Sequence, residues 1–377
     1  MPNSKKKPRS KNSNSYNTQE IFYIPAYTTD SNTSHSKSNS SKNSNRSNSS
    51  QKNSTPSKKM QSKRTNPVAK FFGTIFKILL TIYIIYSILA ILCISRVNTV
   101  QLDRAYSNSN ATLNSAMVKN VLLIGTDGRT AEDHGRSDSM VLLSINYKSS
   151  TITMTSFMRD MYVSIPEYYD DKLNASYSHG GASLLLDTIE NNFNIGIDDC
   201  IIVDFSSFIK IVDAIGGVNI TVSDSEATEI NNILISEVNS ITGDERNSDL
   251  LTSGGEYLLN GKQALSYSRI RYVGNADFER TQRQRTVIDA IIKRVKTPNL
   301  FRVFNFANTT ASQITTNINA LEMYGLSLQV PCLLTFDLVQ QRIPADDTWY
   351  YDDVDGQSVI VVDFEQNTKY LSDTIYN

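Results

Sequence analysis

From Phe71 to Ser95 the chain reads FFGTIFKILLTIYIIYSILAILCIS, and the 17 residues from Ile78 to Ile94 carry no charge. With Phe71–Phe76 in front, the segment reaches the ~20 residues a helix needs to cross ~30 Å of hydrocarbon. Lys77, near its start, can extend its ammonium to the interface on an apolar stem. A cleaved signal peptide would place such a run within roughly the first 15–30 residues, followed by a small-residue cleavage site. Here the run begins about 70 residues in, and no A-x-A-like site follows. One membrane anchor over residues 71–95 is therefore expected, and it divides the chain in two.

The two parts differ in charge. Residues 1–70 hold 14 Lys/Arg against 2 Asp/Glu, and residues 71–377 hold 23 against 36, so the net charge of −1 averages two unlike parts. Residues 1–66 contain 17 Ser and 11 Asn and few aliphatic residues. Such a segment cannot bury enough apolar surface to offset its ordering entropy, so residues 1–70 are expected to be a disordered basic tail. The patch Ile21-Phe22-Tyr23-Ile24 interrupts it and is a candidate docking motif. Lys58, Lys59, Lys63, Arg64 and Lys70 precede the span, whereas Arg96 and Arg104 are followed by few positive charges. The positive-inside rule then puts the tail in the cytoplasm and residues 96–377 outside. The tail lacks the interleaved aromatics and helical periodicity of a nucleic-acid binder, and attraction to anionic inner-leaflet lipid is the simpler reading.

Several chemistries are excluded. Cys93, Cys200 and Cys332 are too few for a disulfide framework or a four-thiolate zinc site. The three histidines form no HExxH pair, and no GxxxxGK[ST] loop or solenoid-length repeat is present. Cys200 and Cys332 either pair or remain buried thiols. Strands are predicted at Val121–Ile124, Ser139–Tyr147, Thr151–Phe157, Cys200–Phe205, Val218–Val222, Cys332–Leu338 and Val359–Phe364. Helices are predicted at Ala182–Asn192, Ser206–Ile215, Asn260–Leu265, Asp277–Val295 and Asn319–Leu328, and Glu237–Gly255 reads as a surface loop. The polar Lys148-Ser149-Ser150 makes 139–157 a hairpin, so the sheet is mixed, and elements of this length suggest an α/β domain with helices on both sheet faces.

The charged residues are placed to converge. Asp127 follows the first strand, Arg136 and Asp138 precede the second, and Arg159 and Asp160 follow the third. In an antiparallel hairpin the start of one strand and the end of the other share a sheet edge, so Asp127, Arg136, Asp138 and Arg159 can gather there. Arg269 and Arg271 are two apart and face one way in an extended segment. Asp277 is a plausible N-cap, and Asp277, Arg280 and Gln284 share one helix face that continues into Val287 and Ile291. Arginine forks bind phosphate oxygens bidentately. Carboxylates with few His or Cys suit a hard ion such as Mg²⁺. Ordinary surface salt bridges are the competing reading.

These residues fall in segments that resemble the LytR–CpsA–Psr family of membrane-anchored cell-wall enzymes. The segments are LLIGTDGR (122–129), GRSDSM (135–140), SFMRDMYVSIP (156–166), KLNASYSHGG (172–181), VDFSSFIKIVDAIGGVNITV (203–222) and LNGKQALSYSRIRY…DFERTQRQRTVI (259–288), in the family's order across most of 118–296. The resemblance implies an α/β/α sandwich with a mixed central sheet. It implies transfer of a glycopolymer from a polyprenyl-pyrophosphate carrier onto peptidoglycan, as a phosphodiester to the C6 hydroxyl of a muramic acid residue. It also implies that Asp127 and Asp138 hold Mg²⁺, that Arg136, Arg159, Arg269, Arg271 and Arg280 grip the pyrophosphate, and that Gln284 completes the lining. Asp277 is a further candidate metal ligand and Arg283 a further candidate phosphate contact from the same motif. Met158 stands where the family usually has a proline before the arginine, and Ser176 and Ser178 also depart from its pattern.

The expected reaction needs no nucleotide, because the pyrophosphate is itself the activated bond. Asp138 is the first choice of proton acceptor, unless it is a metal ligand instead. Val203–Ile215 and Val287–Val295 either line a slot for the lipid or are plain core. Trp349, Tyr350 and Tyr351 either stack on a sugar or form a rim. Two other functions share these residues: a non-catalytic sensor of polyprenyl-linked precursors, and a hydrolase that releases the glycopolymer.

Overall fold

A computed structural model describes residues 67–128, 135–274, 276–296 and 299–377. The predicted disorder of residues 1–66, with the Ile21–Ile24 patch, lies outside the described residues.

The apolar run forms helix α1 (Pro67–Ile94), which starts four residues before the expected boundary. A proline at the first helical position removes an N–H that would have no partner anyway. Thr74, Thr81 and Ser87 donate their hydroxyls to carbonyls four residues back, so the polar side chains within the helix are satisfied. Lys70–Ile94 is long and apolar enough to cross a membrane. The chain then pairs as β1 (Asn98–Thr99) and runs as a linker whose Arg104 bridges Asp187 and Glu190 (2.8 Å to the latter).

A meander follows: β2 (Val118–Thr126), β3 (Ser137–Asn146) and β4 (Thr151–Phe157), all antiparallel, with Leu122 opposite Leu142 and Leu142 opposite Thr155. The predicted 139–157 hairpin is present. A short ladder, β5 (Tyr162–Val163) with β6 (Asp171–Lys172), leads to α2 (Leu173–Phe193), which is broken at Gly180 and Gly181. Strand β7 (Asp199–Asp204) returns parallel to β2 and feeds α3 (Phe205–Ala214), whose N-cap Asp204 accepts from Ser207 N. Gly216 and Gly217, both at positive φ, turn the chain into β8 (Val218–Val222). Helix α4 (Asp224–Ile233), a π-helical turn (Leu234–Val238) and α5 (Asn239–Thr242) precede β9 (Gly255–Leu259), which pairs with β8 outside the main sheet. Helices α6 (Gly261–Arg269), α7 (Ala276–Val295) and α8 (Leu300–Gln313) come next, then β10 (Thr315–Thr316), α9 (Ala320–Leu333) and β11 (Asp337–Ile343). The hairpin β12 (Trp349–Val354) and β13 (Gln357–Val362) and helix α10 (Phe364–Leu371) end the domain.

The central sheet has the order β1-β10-β7-β2-β3-β4-β11 and is mixed, as expected. Alternation along β2 sorts its side chains to two faces. Leu122 and Ile124 join Leu142, Leu185, Ile189 and Phe193 in one core cluster, on the α2 side. Leu123 points to the opposite face, where α3 and α7 lie. A second cluster, including Val212, Val218, Ile230, Leu265 and Val287, ties α3, α4, α6 and α7 to β8 and β9.

The structure corrects four expectations. Residues 332–338 are not one strand: α9 runs through Pro331 to Leu333 and β11 begins at Asp337, because a short apolar run fits helix and strand alike. The strand expected at 359–364 forms as β13 in a separate hairpin, whereas Arg269 and Arg271 do not share an extended segment, because Arg269 is the last residue of α6. The loop at 237–255 opens with helical turns. Cys200 (buried) and Cys332 (exposed) are both free thiols and do not pair.

Among the described residues Arg104 is the one cation that neutralises two nearly fully buried carboxylates, Asp187 and Glu190. Arg104→Ala is expected to destabilise the domain by about 3–5 kcal/mol, read as a lowered denaturant midpoint. A shift under a tenth of that would show that water replaces the guanidinium.

Candidate active site

The C-terminal ends of β2, β4 and β7 and the start of β3 meet at one edge of the sheet. Asp138, the second residue of β3, sits there with its side chain 12% exposed. Its Oδ1 faces Arg159 Nη1 at 3.1 Å and Arg271 Nη2 at 3.8 Å, and its Oδ2 faces Arg280 Nη2 at 3.0 Å. Arg159, just past β4, also reaches Asp160 at 3.1 Å and Asp277 at 3.4 Å. Burial pushes the Asp138 carboxyl up, but Arg280, Arg159 and Arg271 outweigh it and hold the group below its ordinary value. Burial and the neighbouring arginines push Arg280 down to about 10 against the pull of Asp138, so it stays charged at neutral pH.

Helix α7 presents the predicted face. Asp277, Arg280 and Gln284 line a small recess with Asp138 and Arg159, and Gln284 donates to the Asp138 carbonyl at 3.3 Å. Asp277 lies within the first turn of the helix rather than capping it. Arg280 is 3% exposed, yet its Nε and Nη1 have no hydrogen-bond partner. Arg269 Nη1 is likewise buried without a partner. Arg269 ends α6, is held by both oxygens of Glu237 (2.9 and 2.8 Å), and stacks 4.5 Å from the Phe205 ring centroid.

Arg283 does not point into the site. It is 4% exposed and engaged by Glu226 and Glu279, and it donates to the Ile270 and Val273 carbonyls. Those carbonyls flank Arg271, so Arg283 positions the loop that carries a site arginine. The i, i+3 spacing from Arg280 explains the difference: the two leave the helix about 60° apart, toward different neighbours.

Asp127 Oδ1 accepts from the Arg136 N–H at 2.8 Å, which closes the base of the loop between them. Gly135, at φ +62°, is required there, since a Cβ would lie 2.5 Å from Asp127 Oδ1 and from Gly128 N. Arg129 of the quoted motif lies outside the described residues.

Three lobes adjoin this charged centre. The first is an apolar cavity of about 300 Å³ between the sheet and α3, α7 and α8; its walls include Leu123, Val203, Phe208, Val287, Ile291 and Ile314. Asp138, Arg269, Arg280 and Gln284 form its polar end. The slot expected from residues 203–215 and 287–295 is thus an actual cavity, and Phe205 and Phe208 line it. The second lobe, about 410 Å³, is polar and contains Arg136, Arg159, Arg271, Lys172, Tyr169 and His179. His179 stacks on Tyr168 with centroids 4.6 Å apart. The third, about 750 Å³, is open and includes Asp127, Arg136, Asp204 and Glu237. Trp349 is packed on Phe278, so of its trio only Tyr350 and Tyr351 are rim residues.

The donor set does not fit the expected Mg²⁺. Both Asp138 oxygens face guanidiniums, and three cations surround the carboxylate. Asp127 lines a different lobe, and Asp277 is bound to Arg159. Among the described residues no three His, Cys, Asp or Glu side chains gather as a metal site.

Residues 94–374 match the model of the LytR_cpsA_psr family. The chain belongs to this family. Among its relatives is the polyisoprenyl-teichoic acid–peptidoglycan teichoic acid transferase TagU of Enterococcus faecalis, 36% identical over 51% of this chain and 58% of that protein. The TagU of Bacillus anthracis is 30% identical over 66% of this chain and 78% of that protein. Biofilm regulatory protein A of Streptococcus mutans is 34% identical over 46% and 43%. The chain thus spans about half the length of several of the curated relatives it matches. Solved structures agree in fold. B. subtilis TagT superposes with a TM-score of 0.55 at 25% identity over 73% of this chain and 99% of that one. TagT with bound octaprenyl pyrophosphate lipid gives 0.54 at 25% identity over the same shares.

Within this family site, two contributors were not legible in sequence. Glu237 falls in a stretch read as loop, and only the fold brings it to Arg269. The other is α8 with its C-cap, from which Thr310 and Ile314 close the cavity.

Asp138 has a depressed folded-state pKa, so its stabilising contribution is complete above the ordinary carboxylate value of ~3.9 and is lost as pH falls through the folded value. The stability gap between the natural protein and Asp138→Asn should be flat from about pH 8 to 5 and close below about pH 4, as followed by thermal melting. A gap that changes near neutrality would refute the arginine clamp. Titrating Mg²⁺ into the substrate-free protein should give no saturable heat tighter than about 1 mM; one that disappears in Asp138→Ala would restore the metal.

Proposed function

We propose that this chain is a membrane-anchored phosphotransferase that moves a glycopolymer from a polyprenyl-pyrophosphate carrier onto peptidoglycan. The observation that carries this is the junction of Arg280 and the apolar cavity: buried guanidinium N–H groups without partners at the polar end of a hydrocarbon-lined slot. Buried donors are nearly always satisfied. An amphiphile with a dianionic head and an apolar tail satisfies them and fills the slot at once. The similarity to transferases named for teichoic acid, and to a TagT structure with octaprenyl pyrophosphate, supports this reading.

In this reaction the acceptor hydroxyl attacks the sugar-linked phosphorus in line. A P–O bond to the acceptor forms, the P–O–P bridge breaks, and polyprenyl phosphate leaves. Arg280, Arg159 and Arg271 stabilise the charge that grows on the phosphate oxygens and the leaving group. Arg269, fixed by Glu237 and Phe205, and Arg136, bordering both polar lobes, hold the remaining oxygens. Asp138 is a weak base among three guanidiniums and serves to hold them in place. Asp127 faces the open lobe, where no salt bridge engages it among the described residues, and takes the proton. The two polar lobes take the two glycans, one on each side of the phosphorus. The basic residues before α1 orient it with the domain outside the cell.

The test uses the full-length protein in vesicles, a synthetic polyprenyl-pyrophosphate disaccharide and uncrosslinked peptidoglycan oligomers, with mass spectrometry of the products. Glycan attached through phosphate is expected, and Arg271→Ala should lower the rate about 10²–10³-fold. Ile291→Trp should raise KM for long-chain donors and spare a short-chain one. Free glycan phosphate instead would indicate a hydrolase. Tight donor binding with no turnover would indicate a sensor.

A further inference from the structure

The segment ALEMYGLSLQVPCL folds as α9 with one charged residue, Glu322, and that residue pairs with Lys119. No residue of this helix is buried. Leu321 is 81% exposed, and Leu328 and Val330 are also exposed, as are Phe301 and Phe304 on the neighbouring α8. A helix of a water-soluble domain buries its apolar stripe, and a contiguous uncovered apolar surface marks a partner or a membrane. The contacts of α9 decide between the two. Helix α9 lies against α1: the Tyr324 hydroxyl meets those of Tyr83 (3.0 Å) and Ser87 (2.8 Å), and the Tyr86 hydroxyl donates to the Ser327 carbonyl (2.6 Å). Hydroxyl bonds beside a small residue such as Gly325 are how helices associate in lipid. At 1.5 Å per residue, Ser87 and Tyr83 lie about 10 and 17 Å below Ile94 along α1. In a ~30 Å hydrocarbon core Ser87 then lies in the outer leaflet and Tyr83 close to the midplane.

We propose that α9 and the outward face of α8 are immersed in the outer leaflet beside α1, and that they seat the domain with its apolar cavity against the bilayer. This rests on α1 spanning the membrane. Fourteen residues are too few to cross, so α9 enters the outer half of the bilayer without spanning it. The cavity supports the same placement. Its far wall includes Thr310 and Ile314, and Thr315 pairs directly with Asn98, four residues beyond the end of α1. The cavity therefore ends beside the point where the chain leaves the membrane. At about 300 Å³ it is at the small end of ligand cavities and holds only the phosphate-proximal part of a long prenyl chain. The remainder passes along α8 into lipid without crossing water.

The test places an environment-sensitive fluorophore on the full-length protein in phosphatidylglycerol–phosphatidylcholine vesicles. Proteins with one accessible cysteine, made on a Cys93→Ser, Cys332→Ser background with Cys200 left buried, carry Leu321→Cys, Phe301→Cys, Ile85→Cys or Leu258→Cys. Nitroxide lipids should quench the 321, 301 and 85 probes, and aqueous iodide should quench them several-fold less than the 258 probe. Iodide quenching at 321 and 301 with lipid quenching at 85 would overturn the α9 proposal and leave α1 as a span. Iodide quenching at 85 as well would instead overturn the span itself. Probes at 321 and 301 shielded from both quenchers would mean that a second protein copy covers the face, which also overturns the proposal.

Discussion

Three guanidiniums around one carboxylate set the terms for the rest of the molecule. Like charges close together in a half-desolvated space repel by several kcal/mol, and Asp138, which pairs with Arg159, Arg271 and Arg280 at once, offsets that repulsion. Asp160 and Asp277 also pair with Arg159, yet Arg280 keeps two donors that have no partner. The fold supplies the rigidity this needs. Asp138 and Arg159 come from adjacent strands in fixed register, Arg280 from a helix packed on those strands, and Arg271 from a loop pinned at its carbonyls by buried Arg283. A residue that never faces the substrate side thus does as much for the site's shape as one that does.

The same helix that carries Arg280 and Gln284 carries Val287 and Ile291 one and two turns further on. Its site-facing stripe changes from charged to apolar along its length, in the order of an amphiphile's head and tail. The β2 alternation completes the arrangement by turning Leu123 to the cavity and Leu122 to the main core. A charged centre at the rim of an apolar slot is costly without a ligand and complementary with one, which is why the two features together say more than either alone.

Much of this was legible because it depends on short-range rules. The hairpin at 139–157 follows from period-two alternation around a polar turn, and it alone brings Asp138 and Arg159 to one edge. The face of α7 follows from the helical repeat. What was not legible depends on contacts distant in sequence. Arg283 has the same local pattern as Arg280, and only the position of Glu226 on α4 shows that it faces away. Asp277 reads as a cap, but the helix starts one residue earlier and it becomes a partner of Arg159 instead. The run around Cys332 fits strand or helix equally, and Pro331 sits inside a helix because its lost hydrogen bond falls in the final turn. The arginines beside the candidate metal ligands were hidden in the same way: only the fold brings Arg159 between Asp138 and Asp277.

The linker from α1 is the last constraint. A free chain of about 20 residues would let its ends wander by about 25 Å, and the cleft would then meet a membrane-borne donor at no fixed height. Here β1 adds to the sheet edge beside β10, and Arg104 bridges Asp187 and Glu190. The backbone N–H groups of Tyr106 and Asn108 donate to the same two carboxylates. Two buried acids on α2 therefore serve to fix the end of α1 relative to the sheet. A donor whose tail stays in the bilayer has its phosphates near the surface, and a domain fixed at its own exit strand holds its arginines at one distance from that plane.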